Sequence, residues 1–431
     1  ALGSGASQTG FGRTGTVDWQ TTPKTATFTA ANGEGYFADT SSTAFNMNLP
    51  AGSAGAIVSV ADYAATFNAN SLTLVPNGSD KIGGNAGNVI LSTEGQSITL
   101  VFVDSTQGWV TTADSSENVT NNPFMVASVS GACNTLSICG NCKIAKFTGP
   151  GDFIVSQVAS CAANNVVSYM VVGGGGGSGA YTGGGGGAGG FREVKSPVTP
   201  YTASPLDGYP SSPNRITVTA TTFPIAVGSG GAGQPSPDPG GAGTIGSVST
   251  FSTITSAGGG AGGGNNTDTA GDGGSGGGGS EARSGGSGNT PSTTPAQGKN
   301  GGTGSGPGPN NDYYEEAGAG GGATTVGGNG THNGPSSATG GTGATTTISG
   351  TPTAYAGGGG GGKGSLSSGG SQPQGGAGGG GNGSFGATTN TVGAINTGGG
   401  GGGGSSGPGP TTMNPGRQGG SGIVIIRYKY K

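Results

Sequence analysis

Histidine occurs once in the 431 residues, tryptophan twice, and cysteine four times. One histidine excludes a His-rich metal site and argues against Ser-His-Asp catalysis. His332 sits in Asn329-Gly330-Thr331-His332-Asn333-Gly334, with no carboxylate close by in sequence, and reads as a loop residue. Charged residues make up 8% and apolar residues 30%, against about 25% and about 45–50% in an ordinary globular domain. A single large hydrophobic core is therefore not expected. The formal charge of −4 is spread thinly, which argues against a nucleic-acid or anionic-membrane surface. No window of about 20 apolar residues exists, so no membrane insertion is expected. The chain opens with neither an initiator methionine nor a secretory apolar stretch, and reads as processed or as continuing upstream.

The four cysteines, Cys133, Cys139, Cys142 and Cys161, fall within 29 residues. Cys139-Gly140-Asn141-Cys142 is a CxxC, but a zinc site wants a second close pair, which Cys133 and Cys161 do not supply. A redox CxxC opens a helix, whereas Gly140-Asn141 reads as a hairpin turn. Two disulfides are the leading expectation, with free thiols second and zinc third.

Catalytic constellations are equally thin. Asp312, Glu315 and Glu316 lie close enough to form a carboxylate pair for glycoside hydrolysis, yet a solvated loop accounts for them as well. Residues 357–362 followed by Lys363-Gly364-Ser365 approach a P-loop, but glycine stands at the Ser/Thr position. GxGxxG matches are uninformative in a chain this rich in glycine, and Arg-Gly-Gly repeats are missing. No catalytic, cofactor or metal residues are assigned, and the protein is not expected to be an enzyme.

What is abundant is glycine. Of 106 glycines, 87 follow Val172, about a third of that region. They arrive in blocks at 173–177, 183–190, 258–264, 276–279, 357–362, 375–381 and 398–404. Long glycine runs are usually flexible linkers. Two apolar, strand-forming runs bracket these, however: 166–172 and 422–431, as if the ends must meet. Glycine has one ordered alternative, the extended threefold helix related to polyproline II, which has no internal hydrogen bonds. Without a Cβ, such helices pack at backbone contact and pair their N–H and C=O groups between neighbours. We expect a bundle of this kind, standing on a β platform.

Ahead of it, residues 18–114 carry short alternating runs separated by turn residues at roughly ten-residue spacing, the mark of a small all-β module. The expected organisation is a connector or attachment segment 1–17, the β module 18–114, a linker 115–125, a β hairpin unit and platform 126–172 completed by 422–431, and a glycine-rich domain 173–421. The fold class is all-β, with polyglycine II helices and almost no α-helix.

Several of these stretches resemble a known family. They are Val171-Val172 with 173–177, the block 183–190 running into Phe191-Arg192, Phe251-Ser252-Thr253-Ile254-Thr255-Ser256-Ala257 with 258–260, Thr353-Ala354-Tyr355-Ala356 with 357–362, and Gly419-Gly420-Ser421-Gly422-Ile423-Val424-Ile425-Ile426-Arg427-Tyr428. Together they are similar to the glycine-rich domain of bacteriophage tail-fibre and virion fibre proteins, particularly of marine phages. Signposts such as Leu72-Thr73-Leu74, Ser92-Thr93-Glu94-Gly95-Gln96-Ser97 and Gly108-Trp109 extend the resemblance to a small β module of such particles.

The resemblance implies a virion location and a non-enzymatic fibre or adhesin whose variable loops attach to a host surface polysaccharide or outer-membrane protein. It also implies other virion proteins bound at the N-terminal end, and a homo-oligomer, a trimer. A purely structural decoration or filament subunit is the alternative. Glycine helices expose little but backbone, so specificity must come from side chains at their turns. Tyr313, Tyr314, Glu315 and Glu316 lead the contact candidates, with Tyr201, Tyr209, His332 and Phe385 behind them.

Overall fold

The computed structural model describes residues 17–114, 124–235, 241–264, 269–306, 315–364, 371–386, 388–405 and 414–431. The chain forms two compact units, Ala1–Pro123 and Phe124–Lys431. Among the described residues the structure is nearly all β, and the only helical turns are two short 3-10 turns, Ala162–Asn165 and Ser212–Asn214.

The first unit contains β1 (Asp18–Lys24), β2 (Phe28–Thr29), β3 (Glu34–Ala38), β4 (Phe45–Asn48), β5 (Ile57–Asp62), β6 (Leu72–Val75), β7 (Val89–Leu91), β8 (Ser97–Phe102) and β9 (Trp109–Asp114). Its chain alternates between two sheets, ordered β1-β3-β5-β8-β9 and β2-β4-β6-β7. The pairs β1/β3, β3/β5, β2/β4 and β4/β6 are all parallel. A parallel pair needs a crossover, and here a strand of the opposite sheet supplies it, giving a short two-sheet coil. Antiparallel β7, β8 and β9 finish the unit. Inward residues Tyr36, Met47, Val58, Leu72, Leu74, Leu100 and Trp109 fill its core. Gly108 turns the chain into β9 at φ +71, with a Cβ position 1.9 Å from the Lys81 carbonyl oxygen, so only glycine fits.

The second unit continues with β10 (Val126–Val129), β11 (Thr135–Cys139), β12 (Cys142–Phe147), β13 (Gly151–Gln157), β14 (Val166–Val172), β15 (Phe191–Val194), β16 (Ile216–Thr217), β17 (Thr222–Ala226), β18 (Ser249–Phe251), β19 (Ile254–Ser256), β20 (Ala344–Thr346), β21 (Thr353–Tyr355) and β22 (Ile423–Lys429). β14 and β22, the two apolar runs that bracket the glycine blocks, pair antiparallel from Ser168↔Arg427 to Val172↔Ile423. They form the middle of a sheet ordered β11-β12-β22-β14-β15, with β16 also on β14. Their unbroken apolarity follows from burial on both faces. Tyr169, Val171, Val424, Ile426 and Tyr428 point to one side, toward Phe153, Ile225 and Phe251 of the second sheet, β10-β13-β17-β18-β19. Met170, Val172, Ile423 and Ile425 point to the other, toward Ala188, Phe191, Ile348 and Tyr355 at the base of the glycine region.

The glycine region grows from this sheet, and its order is visible in its hydrogen bonds. Successive N–H groups of Gly173, Gly174, Gly175, Gly176, Gly177, Ser178 and Gly179 bond the carbonyls of Gly190, Ser247, Gly420, Gly187, Thr244, Arg417 and Gly184, at 2.8–3.1 Å. Every third residue returns to the same neighbour, three residues further back along it. A chain that turns a third of a revolution per residue produces this pattern, which is the period of polyproline-II-type helices.

The return segment 183–190 is fully enclosed. It donates to segments 398–404, 257–263 and 318–321, and accepts from 173–179, 275–278 and 359–362. Six neighbours with six directions of bonding amount to hexagonal packing with a core of backbone. A Cβ at Gly185, Gly186 or Gly187 would lie 2.2, 2.1 or 2.3 Å from the carbonyl oxygens of Gly359, Gly176 and Ser275, so side chains are excluded there by contact.

The cysteines correct the sequence reading. All four are free, where disulfides were expected. Cys139 and Cys142 face each other across the β11–β12 turn, but Cys142 is buried while Cys139 accepts a 3.8 Å contact from Arg427 Nη2. Cys133 lies in a left-handed turn (φ 65) before β11 and Cys161 heads the first 3-10 turn, both exposed on separate elements.

Candidate functional site: the far end of the glycine bundle

Segment 173–179 leaves β14, turns through Ala180, Tyr181 and Thr182, and returns as 183–190 into β15. The Gly173–Gly190 bond therefore lies at the platform and the Gly179–Gly184 bond at the far end. Gly183 bonds Gly404 and receives Gly362, and Gly362 in turn receives Ala317. This ladder places Glu316 and Lys363 at the far end, just beyond the last glycine rungs.

There the loop 331–338 folds around one carboxylate. Glu316 Oε2 accepts the Thr331 N–H at 3.0 Å and its hydroxyl at 2.8 Å. Oε1 accepts the Ser336 hydroxyl and the N–H groups of Ser337 and Ala338, the latter two at 3.2 Å. Ser305 holds the backbone of Glu316 in place from the other side. Lys363 Nζ lies 4.0 Å from Glu316 Oε2, both side chains fully buried, and donates to the Gly334 carbonyl. It also sits 5.9 Å above the Phe385 ring. Burial pulls the Lys363 ammonium below the ordinary lysine pKa, with Glu316 opposing that shift.

A buried charge must be paired and hydrogen-bonded to be tolerated, and here the two charges satisfy each other while pinning loop 331–338. Sequence reading assigned Glu316 to a contact surface. That is corrected: its oxygens are consumed internally, and Glu315 beside it is also buried. His332 is exposed on the pinned loop, and Phe385 is half-buried beside Lys363. The fold thus brings Glu315, Glu316, His332 and Phe385 to one end.

Tyr201 and Tyr209 are corrected as well, for they belong to the platform. The Tyr201 ring is flanked by Arg427 at 5.3 Å and Lys195 at 5.7 Å, and burial pushes its phenol far above the ordinary value. Tyr209 stacks on Arg215 at 4.4 Å and packs on the sheet core. Tyr313 and Tyr314 lie outside the described residues.

Lys363, which in sequence stands in an incomplete P-loop pattern, is the residue that joins this cluster without a sequence expectation. The signal was available: a lone lysine inside a glycine block must find a buried counter-charge or leave the bundle. Among the described residues, no three His, Cys, Asp or Glu side chains are grouped to hold a metal ion. Glu316, Lys363 and the hydroxyls of Thr331 and Ser336 are bonded into one cluster that holds the loop 331–338.

Comparison with known proteins bears on the family. No curated protein matches the chain. Residues 5–124 match the family model described as bacteriophage T4 gp9/10-like protein, N-terminal, which indicates a structural phage protein located in the virion and associated with other virion proteins. Residues 148–429 match the model described as glycine-rich domain. That match begins just after β12 and covers β13 to β22 with the glycine bundle between them. The two matches together support a phage glycine-rich fibre protein, and the chain belongs to the glycine-rich domain family.

Proposed function

We propose that the chain is a non-enzymatic phage fibre adhesin, attached to the virion through its N-terminal unit and to the host surface through the loops at the far end of its glycine bundle. Its glycine segments act as polyglycine II struts, rigid and chemically blank. One observation carries the reading: a buried ion pair, Glu316–Lys363, is spent on ordering the loop 331–338 where the struts end. Loops held by a rigid scaffold lose less entropy on binding than free ones. The ligand side is a surface polysaccharide or outer-membrane protein, and copies of the chain act together as a trimer.

Tyr313 and Tyr314 directly precede the pinned Glu315-Glu316. Tyrosine offers a rigid amphipathic face with few rotors to freeze. Replacing both by alanine is expected to leave thermal melting unchanged and to lower adsorption to host cells by at least about tenfold, the equivalent of about 1.4 kcal/mol. Unchanged adsorption by the folded variant would favour a structural decoration without a receptor.

A further inference from the structure

The turn that closes the enclosed hairpin is strained in a way its surroundings make avoidable. Tyr181 and Thr182 both have left-handed backbone, at φ 56 and 50. Among the described residues, no other two successive non-glycine residues do. A bulky aromatic and a β-branched residue are the kinds this region penalises most, whereas glycine enters it freely. Glycine fills 173–177, 179, 183–187 and 189–190 of the same hairpin, so a strain-free turn would need only more of the same. Neighbouring turns at the far end hold Ala282 and Asn333 in their left-handed positions, a small residue and an asparagine that bear it more easily.

Strain of this kind persists where the surroundings over-determine it, and it gathers at ligand-binding sites. The surroundings here are rigid. The Gly179 N–H closes the turn on the Gly184 carbonyl at 3.1 Å, while Gly183 bonds Gly404 and Gly362 bonds Gly183, both at 3.0 Å. A Cβ at Gly404 would stand 3.0 Å from Ala180 Cα and 3.1 Å from the Tyr181 nitrogen, so the turn is wedged between neighbouring rows. Ala180 and Thr182 are buried and Tyr181 between them is half-buried. Tyr181 is therefore the residue of this turn that reaches the surface. Because segment 183–190 is enclosed on all sides, that surface lies within the end face, beside the row that ends in Lys363.

We infer that Tyr181 is the central contact of the far end and that its ligand is a polysaccharide, one sugar ring lying on the phenol ring. This rests on the attachment role proposed above and names its ligand class. Turn 280–284 joins the same end, since Gly184 bonds Gly263 and Gly263 bonds Gly278. The described turns 180–182, 280–284, 331–338 and 384–386 contain no valine, leucine, isoleucine or methionine. The centre of a protein–protein interface is apolar and poor in charge. Around Tyr181 stand Glu281, Arg283, His332 and Asn333 instead, side chains that donate and accept hydrogen bonds. A sugar presents hydroxyls to such groups and a C–H face to an aromatic ring. The strained tyrosine supplies that ring, with few rotors to freeze.

Binding of the purified full chain to host cells tests it. Wild type is expected to bind, to lose binding when the cells are treated with periodate, which cleaves the vicinal diols of sugars, and to keep it when they are treated with protease. Tyr181→Gly removes the ring and the strain together. It should melt no lower than wild type and bind at least about tenfold more weakly, whereas Tyr181→Phe, which keeps the ring, should retain most of the binding. If the glycine variant fails to fold, Tyr181→Asn, which tolerates left-handed backbone, is expected to show the same loss. Full binding by a folded glycine or asparagine variant overturns the role of Tyr181, as does a melting temperature that falls in Tyr181→Gly. Binding that survives periodate and is lost to protease overturns the polysaccharide in favour of a protein. A wild-type chain that binds no host cell overturns the attachment role itself, and is told apart from a variant that binds like wild type.

Discussion

Gly260→Val is expected to destabilise the glycine-rich unit severely. A Cβ at Gly260 would lie 2.0 Å from the Gly271 carbonyl oxygen and 2.8 Å from the Gly271 carbonyl carbon and the Gly277 nitrogen. Every obstacle is backbone, and each is already committed: Gly271 N–H to Ala261, Gly277 N–H to Gly271, Gly260 N–H to Ser275. A side chain can swing aside, whereas a bonded backbone moves only with its neighbours. Overpacking an ordinary core costs about 1–3 kcal/mol, and each backbone bond broken in the shift adds about 1 kcal/mol. The expected loss is at least about 3 kcal/mol, or on the order of 5–10 °C in Tm. Gly306→Ala is the control, because among the described residues its Cβ would meet nothing closer than 3.7 Å; it should melt like wild type. A Gly260→Val protein with wild-type melting would mean that these backbones do not touch.

The second large effect lies at the far end. Glu316→Ala leaves the Lys363 ammonium buried without its counter-charge and frees Thr331, Ser336, Ser337 and Ala338 from their common acceptor. Breaking a buried pair from one side costs about 3–5 kcal/mol. Glu316→Gln also removes the counter-charge of Lys363 but keeps an acceptor oxygen for the loop and nearly the same shape, so its cost should be smaller than that of alanine. The loss should be local first: amide exchange of 331–338 should rise well before the platform strands β14 and β22 respond. Equal melting of Glu316→Ala and wild type, with loop 331–338 still protected, would show that the ion pair does not hold the loop.

Much of this architecture is legible in residues. The two apolar runs at 166–172 and 422–431 announce strands buried on both faces, and they pair in the structure. The glycine blocks announce backbone packing because nothing else can fill that space. Other features hide for physical reasons. Alternation along β1 to β6 is the same whether neighbours run parallel or antiparallel, so the coil of the first unit cannot be read from its pattern. Glu316 and Lys363 are 47 residues apart in sequence, and only the threefold ladder of bonds brings them level. Acidic and aromatic residues between glycine blocks look like an exposed loop, and the burial of Glu315 and Glu316 shows how a lone lysine can reverse that. Cysteine spacing suggested bridges, but spacing along a chain does not decide which β elements face each other.

Whether the glycine blocks form a solid rather than a linker is decided by native-state amide hydrogen exchange of residues 183–190. These amides each have a carbonyl partner on a neighbouring segment at 2.8–3.1 Å and no route to water short of separating the bundle. Gly185, Gly186 and Gly187 are expected to exchange only with global unfolding of the unit, at the same free energy as the amides of β14 and β22. Exchange at the rate of an unstructured glycine peptide, while β14 and β22 stay protected, would contradict it.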